Sequence, residues 1–191
     1  MKGYGKKSLD VGCGSGARLI ALRLLGYDVF GLDIQPSYID GLKRAGFNVL
    51  IGDVEREIPF NESFDLITCF EVLEHLKNPI KALENMIESL NPSGFLVVTT
   101  PNRLTEFFRC IYLFLKRQKR TKGIFYDETH ISVKSPIEWR KIVTAIPKAK
   151  LLKITNFIMP WFNRRNFLIH LPYIGSSTLI VISRDHAEDS Q

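Results

Sequence analysis

The chain has 191 residues and a mass of 21.9 kDa, with 45% hydrophobic and 24% charged residues, which fits one folded core and excludes wholesale disorder. Three cysteines without metal-type pairing exclude a disulfide framework and point to a reducing compartment. No run nears the ~18 apolar residues of a membrane-spanning helix, and the charged N-terminus leads into no apolar signal segment, so a cytoplasmic location is expected. The net charge of +6 is local: Lys116, Arg117, Lys119, Arg120 and Lys122 lie together, leaving 21 basic residues against 20 acidic ones.

The first half alternates strand-like and helix-like segments. A short strand, Lys7–Val11, runs into the cluster Gly12-Cys13-Gly14-Ser15-Gly16. Helix formers from Ala17 to Leu25 follow and stop at Gly26. Tyr27–Asp33 reads as a second strand, Pro36–Ala45 as a second helix and Phe47–Ile51 as a third strand ending at Gly52-Asp53. Phe64–Phe70 is a fourth strand. Pro79–Leu90 carries Ile80, Leu83, Ile87 and Leu90 at helical spacing, then a turn at Asn91-Pro92-Ser93-Gly94 leads into a fifth strand, Phe95–Thr100. Strands separated by single helices predict right-handed crossovers and a mostly parallel sheet with helices on both faces.

The second half is less regular. Leu104, Phe107, Phe108, Ile111, Tyr112 and Leu115 form a helical stripe ahead of the basic cluster. Ser135-Pro136-Ile137-Glu138 is a capping box opening a helix to about Ile146. Leu151–Ile158 and Thr178–Ser183 read as the last two strands, flanking the aromatic and basic stretch Trp161–Tyr173. One domain over residues 1–191 is expected, with a cover region at about 103–134 and a loop at about 159–176.

In an open α/β sheet, ligands bind beyond the carboxyl ends of the strands. The informative residues fall there: the glycine cluster, Asp33, Asp53, and Phe70 with Glu71. Gly12 and Gly14 let the backbone approach a ligand, and the helix start beyond them offers free N–H groups. Asp33 can accept from both hydroxyls of a ribose, Ile34 can lie on a purine, and Asp53 can accept from an exocyclic amine. Gly12-x-Gly14-x-x-Ala17 with Asp33 also satisfies a dinucleotide fingerprint. Asp10 decides between the two nucleosides, because a carboxylate there repels a pyrophosphate and attracts an ammonium or sulfonium. S-adenosylmethionine (SAM) is therefore favoured over NAD. Each piece also has a plain structural explanation: a βα turn for the glycines, and turn or helix capping for Asp33 and Asp53.

Leu9–Gly16, Gly31–Ile34, Gly52–Glu55 and Phe64–Leu76, with Leu90–Leu96 after them, resemble the successive motifs of class I SAM-dependent methyltransferases, among them the ubiquinone-biosynthesis and small-molecule types. The resemblance covers about residues 8–100. It implies a doubly wound, three-layer α/β/α fold around a seven-stranded Rossmann-like sheet, mostly parallel with an antiparallel last strand. It assigns Asp10, Gly12 and Gly14 to the methionyl end, Asp33 to the ribose, Ile34 to the adenine face, Asp53 and Val54 to the adenine edge, and the Phe70 backbone to the amino group. The family usually has a helical segment before its first strand. Here about seven residues precede it, so either the chain is truncated or the 103–134 insertion supplies the cover.

For methyl transfer the candidate bases are His75, His130 and Glu71, since imidazole titrates near neutrality. Glu71-x-x-Glu74-His75 with His130 has a second reading as a divalent-cation site, which the resemblance to ubiquinone-biosynthesis and small-RNA O-methyltransferases implies. A third reading makes His75 a packed helix-end residue. The expected function is methyl transfer from SAM to a small or lipophilic acceptor through oxygen or nitrogen. The rivals are an RNA methyltransferase and an inactive SAM-binding module. Lys116–Lys122 is a solvated loop, or it meets an anionic membrane surface or RNA.

Overall fold

The computed structural model describes Gly3 and residues 5–104, 129–157 and 177–185. The expected stripe after Leu104, the basic cluster and the 159–176 loop lie outside the described residues, apart from the ends of the cover region. In chain order the elements are β1 (Lys7–Val11), α1 (Ala17–Leu24), β2 (Asp28–Asp33), α2 (Pro36–Arg44), β3 (Asn48–Ile51), β4 (Phe64–Phe70), α3 (Pro79–Glu88), β5 (Leu90–Pro101), α4 (Pro136–Ala145), β6 (Ala149–Phe157) and β7 (Ser177–Arg184). A single 3-10 turn, Leu73–His75, follows β4. No helix among the described residues is long and apolar enough to cross a membrane.

Local chemistry sets the helix starts. Asn78 caps α3, its side chain accepting from the Lys81 N–H, with Pro79 in the first turn. At α4 the capping box forms as the spacing predicts: Ser135 Oγ accepts from the Glu138 N–H at 3.3 Å, and Glu138 Oε2 accepts from the Ser135 N–H at 2.8 Å.

The seven strands form one sheet in the order β3-β2-β1-β4-β5-β7-β6. β1, β2, β3, β4 and β5 run parallel, while β7 is antiparallel to both β5 and β6. Alternation along the strands separates two cores. Val29 joins Leu19, Leu22, Ile39 and Leu42 under α1 and α2. Its neighbour Phe30 points to the other face, against Phe60 and Phe64 at centroid distances of 5.4 Å each, in the cluster that α3 and α4 cover with Leu83, Met86, Trp139 and Val143. The three-layer α/β/α architecture is therefore present.

One boundary differs from the sequence reading. Leu90 continues the helical spacing of α3, yet it is the first residue of β5, opposite Phe64. Ser89 ends the helix, its Oγ donating to the Asn85 carbonyl at 2.9 Å. The Asn91–Gly94 turn lies inside β5 as an irregularity, with Ser93 at φ 62° and a register shift between Phe64 and Leu66.

The chain leaves β1 for β2 on one side and returns to β4 on the other. The switch point, where ligands bind in such sheets, is thus between β1 and β4.

Candidate active site

A cavity of about 710 Å³ opens at that switch point. The glycine loop forms its floor. The N–H groups of Gly12 and Cys13 both donate to the Leu32 carbonyl, at 2.8 and 3.2 Å, tying the loop to β2. Gly12 adopts φ +69°, and a Cβ there would come within 2.3 Å of Val72 Cγ2, so only glycine lets the loop pass under the strand-four turn.

The side chains expected to hold a nucleoside surround the cavity. Asp33, at the end of β2, accepts from the Gly14 N–H at 2.8 Å through Oδ2 and from the Gln35 N–H at 2.9 Å through Oδ1. Each carboxylate oxygen has a further lone-pair direction for a ligand hydroxyl. Asp53 Oδ1 accepts from the Glu55 N–H at 2.9 Å, the capping interaction that the plain structural reading expects. Ile34 lines the cavity and is 64% exposed, an apolar surface open to the cavity. Val54 and Phe70 complete the wall; the Val54 carbonyl is held by Asn85 Nδ2 at 2.8 Å.

Asp10 does not line the cavity. Its side chain is fully buried and stands behind the cavity wall, with Oδ1 accepting from Arg18 Nε and from Thr68 Oγ1, both at 2.8 Å. Burial raises its carboxyl above the ordinary range, against the opposing pull of Arg18 and Thr68. Arg18, which no motif singles out, lines the cavity, donates from Nη2 to the Gly12 carbonyl at 2.7 Å and lies 5.2 Å from the Phe70 ring centroid. Its signal was available: a basic residue in the first turn after a glycine loop, eight residues from a buried acid.

A second group sits at the rim. Glu71 lines the cavity with its backbone at φ 55°, a conformation uncommon for a residue with a side chain and associated with functional sites. Burial raises its carboxyl, while a hydrogen bond from Thr99 and the nearby His130 and His75 act the other way. His75 lines the same cavity, and its ring is 4.9 Å from that of His130. His130 reaches it because the 129–135 segment is tied down: the Ser132 N–H donates to the Glu74 carbonyl at 2.9 Å, and Thr129 Oγ1 is 2.8 Å from His75 Nδ1. The ligand atoms of Glu74, His75 and His130 all lie within 4.8 Å of one another. One cavity therefore carries Asp33, Ile34, Asp53 and Val54 on one side and Glu71 and His75 at its rim.

The profile of the methyltransferase domain family matches residues 2–146. The chain belongs to the SAM-dependent methyltransferase family. It is 37% identical over 105 residues to a ubiquinone biosynthesis O-methyltransferase of Coxiella burnetii, covering 52% of this chain and 45% of that protein. The mitochondrial ubiquinone biosynthesis O-methyltransferase of Schizosaccharomyces pombe is 35% identical over 109 residues, covering 52% and 39%. The matched segment thus spans less than half the length of these curated relatives. A SAM-dependent methyltransferase from Thermotoga maritima shares the fold with a TM-score of 0.72 at 19% identity, over 94% of this chain and 83% of that one. The plantazolicin methyltransferase BamL, solved with S-adenosylhomocysteine (SAH), superposes with a TM-score of 0.70 at 14% identity, over 95% and 77%.

Proposed function

We propose that this methyltransferase moves a methyl group from SAM to a small or lipophilic acceptor, at oxygen or nitrogen. The observation that carries the reading is the single cavity lined both by Asp33, Ile34, Asp53 and Val54 and by Glu71 and His75. The first set matches a nucleoside. The second supplies groups that can take a proton from an acceptor held beside it. The relatives named as ubiquinone biosynthesis O-methyltransferases support an oxygen acceptor.

Bound SAM supplies an electrophilic methyl group on sulfur, open to in-line displacement. The chain's contribution is placement and proton transfer. Asp33 holds the ribose, Ile34 covers the adenine, and Asp53 accepts from its amine. Gly12, Gly14 and the Phe70 backbone surround the methionyl end. At the rim, His75 Nδ1 is 2.8 Å from Thr129 Oγ1 and 3.3 Å from the Thr129 carbonyl, and in the tautomer with its proton on Nδ1 the Nε2 lone pair accepts the acceptor's proton. Glu71 and His130 stand beside it.

The spacing of Glu74, His75 and His130 favours a second reading of the same rim. Ligands on opposite sides of one hard divalent cation lie about 4–5 Å apart, so this trio fits such an ion, and Glu71 lies within electrostatic reach. The residues that would hold it are Glu74, His75 and His130. It would supply Lewis-acid activation of an acceptor hydroxyl.

His75→Ala and His130→Ala should each keep SAM affinity and lower methyl transfer about 10²–10⁴-fold. If the rim holds a cation, a chelator should reproduce both variants in the wild-type protein. Unchanged turnover in all three experiments would return the histidines to a packing role. A turnover signal removed by ribonuclease would identify RNA as acceptor, and SAM binding without turnover would identify a binding module.

A further inference from the structure

We infer that Arg18 reads the carboxylate at the amino-acid end of the cofactor and so sets the preference for a carboxylated nucleoside. The inference rests on the SAM reading of the cavity and adds a specificity residue to it.

The charge distribution is the starting point. Asp33, Asp53, Glu55 and Glu71 all line the cavity, and Arg18 is the one permanently charged cation among its described lining residues. SAM and SAH each carry a single anionic group, the α-carboxylate. With the adenine and ribose held at the ends of β2 and β3, the amino-acid end extends toward β1 and β4. Arg18 is on that side, over the Phe70 ring and against the Gly12 carbonyl.

The guanidinium is also fixed for the task. It has five N–H donors; Nε is taken by Asp10 and one Nη2 hydrogen by the Gly12 carbonyl. Nη1 has no hydrogen-bond partner among the described residues, and the side chain is 32% exposed. Asp10 is held in turn by Thr68 Oγ1, so the plane of the guanidinium is set before a ligand arrives. The buried carboxylate near the end of β1 therefore acts on the ligand through the cation it orients. Arg18 also lies in the first turn of α1, whose Gly16 N-cap has no capping side chain, so the free amides of that turn add to the positive potential.

The test is calorimetry with SAH, with the analogue of SAH that lacks the carboxylate, and with 5′-methylthioadenosine, which lacks the whole amino-acid end. The wild-type protein should prefer SAH over the decarboxylated analogue by about 10- to 100-fold. Arg18→Gln should weaken SAH by a similar factor and leave the two carboxylate-free ligands within about threefold. Because Arg18→Gln leaves Asp10 buried without its cation, the double variant Asp10→Asn/Arg18→Gln guards against a folding defect and should show the same loss of preference. Equal weakening of all three ligands would overturn the proposal and make Arg18 a support of the glycine loop. An unchanged preference for SAH in both variants would overturn it as well. Failure of the wild-type protein to bind any of the three would instead overturn the SAM reading beneath it.

Discussion

Replacing Asp33 by alanine separates two roles that meet on one side chain. Without ligand, the carboxylate holds the Gly14 and Gln35 N–H groups at 2.8 and 2.9 Å. Losing two such hydrogen bonds costs about 2 kcal/mol of stability at ~1 kcal/mol each, which lowers the melting temperature by about 4–8 °C in a domain of this size. On the proposed reading, the same oxygens accept from the ribose hydroxyls when SAM is bound. Two charge-assisted hydrogen bonds in a partly solvated site contribute about 3 kcal/mol together, so Asp33→Ala should raise the Kd for SAM about 100-fold. Asp33→Asn keeps one acceptor oxygen and should raise it about tenfold. Calorimetry gives the binding change and a thermal melt gives the stability change. If Asp33→Ala melts several degrees lower but binds SAM within about threefold of the wild type, the carboxylate serves the loop alone and the ribose assignment is refuted.

Other outcomes follow from the same geometry. Gly12→Ala should abolish SAM binding and destabilise the fold, because its Cβ would lie 2.3 Å from Val72, whereas Gly14→Ala meets nothing within 4 Å and should cost only the ~1–2 kcal/mol of a left-handed backbone; equal melting temperatures for the two would contradict this. Burial raises the Asp10 carboxyl, so the folded chain holds that proton more tightly than the unfolded one. Its contribution to stability is full below the ordinary carboxylate value and fades as pH rises through the folded value. Denaturant titrations of Asp10→Asn at pH values rising from the ordinary carboxylate value should lack that decline, and slopes identical to the wild type would refute it. Neutralising Lys116, Arg117, Lys119, Arg120 and Lys122 together should leave SAM affinity intact and reduce salt-sensitive binding to anionic vesicles or polyanions; unchanged association would reduce the cluster to a solvated loop.

That the residues assigned to the nucleoside line one cavity was legible in the sequence because their positions are local. Gly12, Gly14, Asp33 and Asp53 each sit at a strand end, and strand ends are marked by a few consecutive residues. Leu90 shows the limit of that reading, since an apolar period does not reveal where α3 stops and β5 begins. The ion pair of Asp10 with Arg18 depends on a side chain folding back across the glycine loop, and charge counting at Asp10 alone does not reveal that partner. The rim brings together residues the sequence reading named as a group. Glu71, Glu74 and His75 are neighbours in sequence, and His130, expected beside them, joins through the Ser132–Glu74 hydrogen bond across more than fifty residues. No local pattern shows that hydrogen bond.

The central claim is that the switch-point cavity is a SAM site, and titration of the purified protein with SAM, SAH and NAD by calorimetry tests it most directly. We expect SAM and SAH to bind at one equivalent, each displacing the other, with no heat from NAD. Saturable NAD binding with no response to SAM or SAH would contradict the claim.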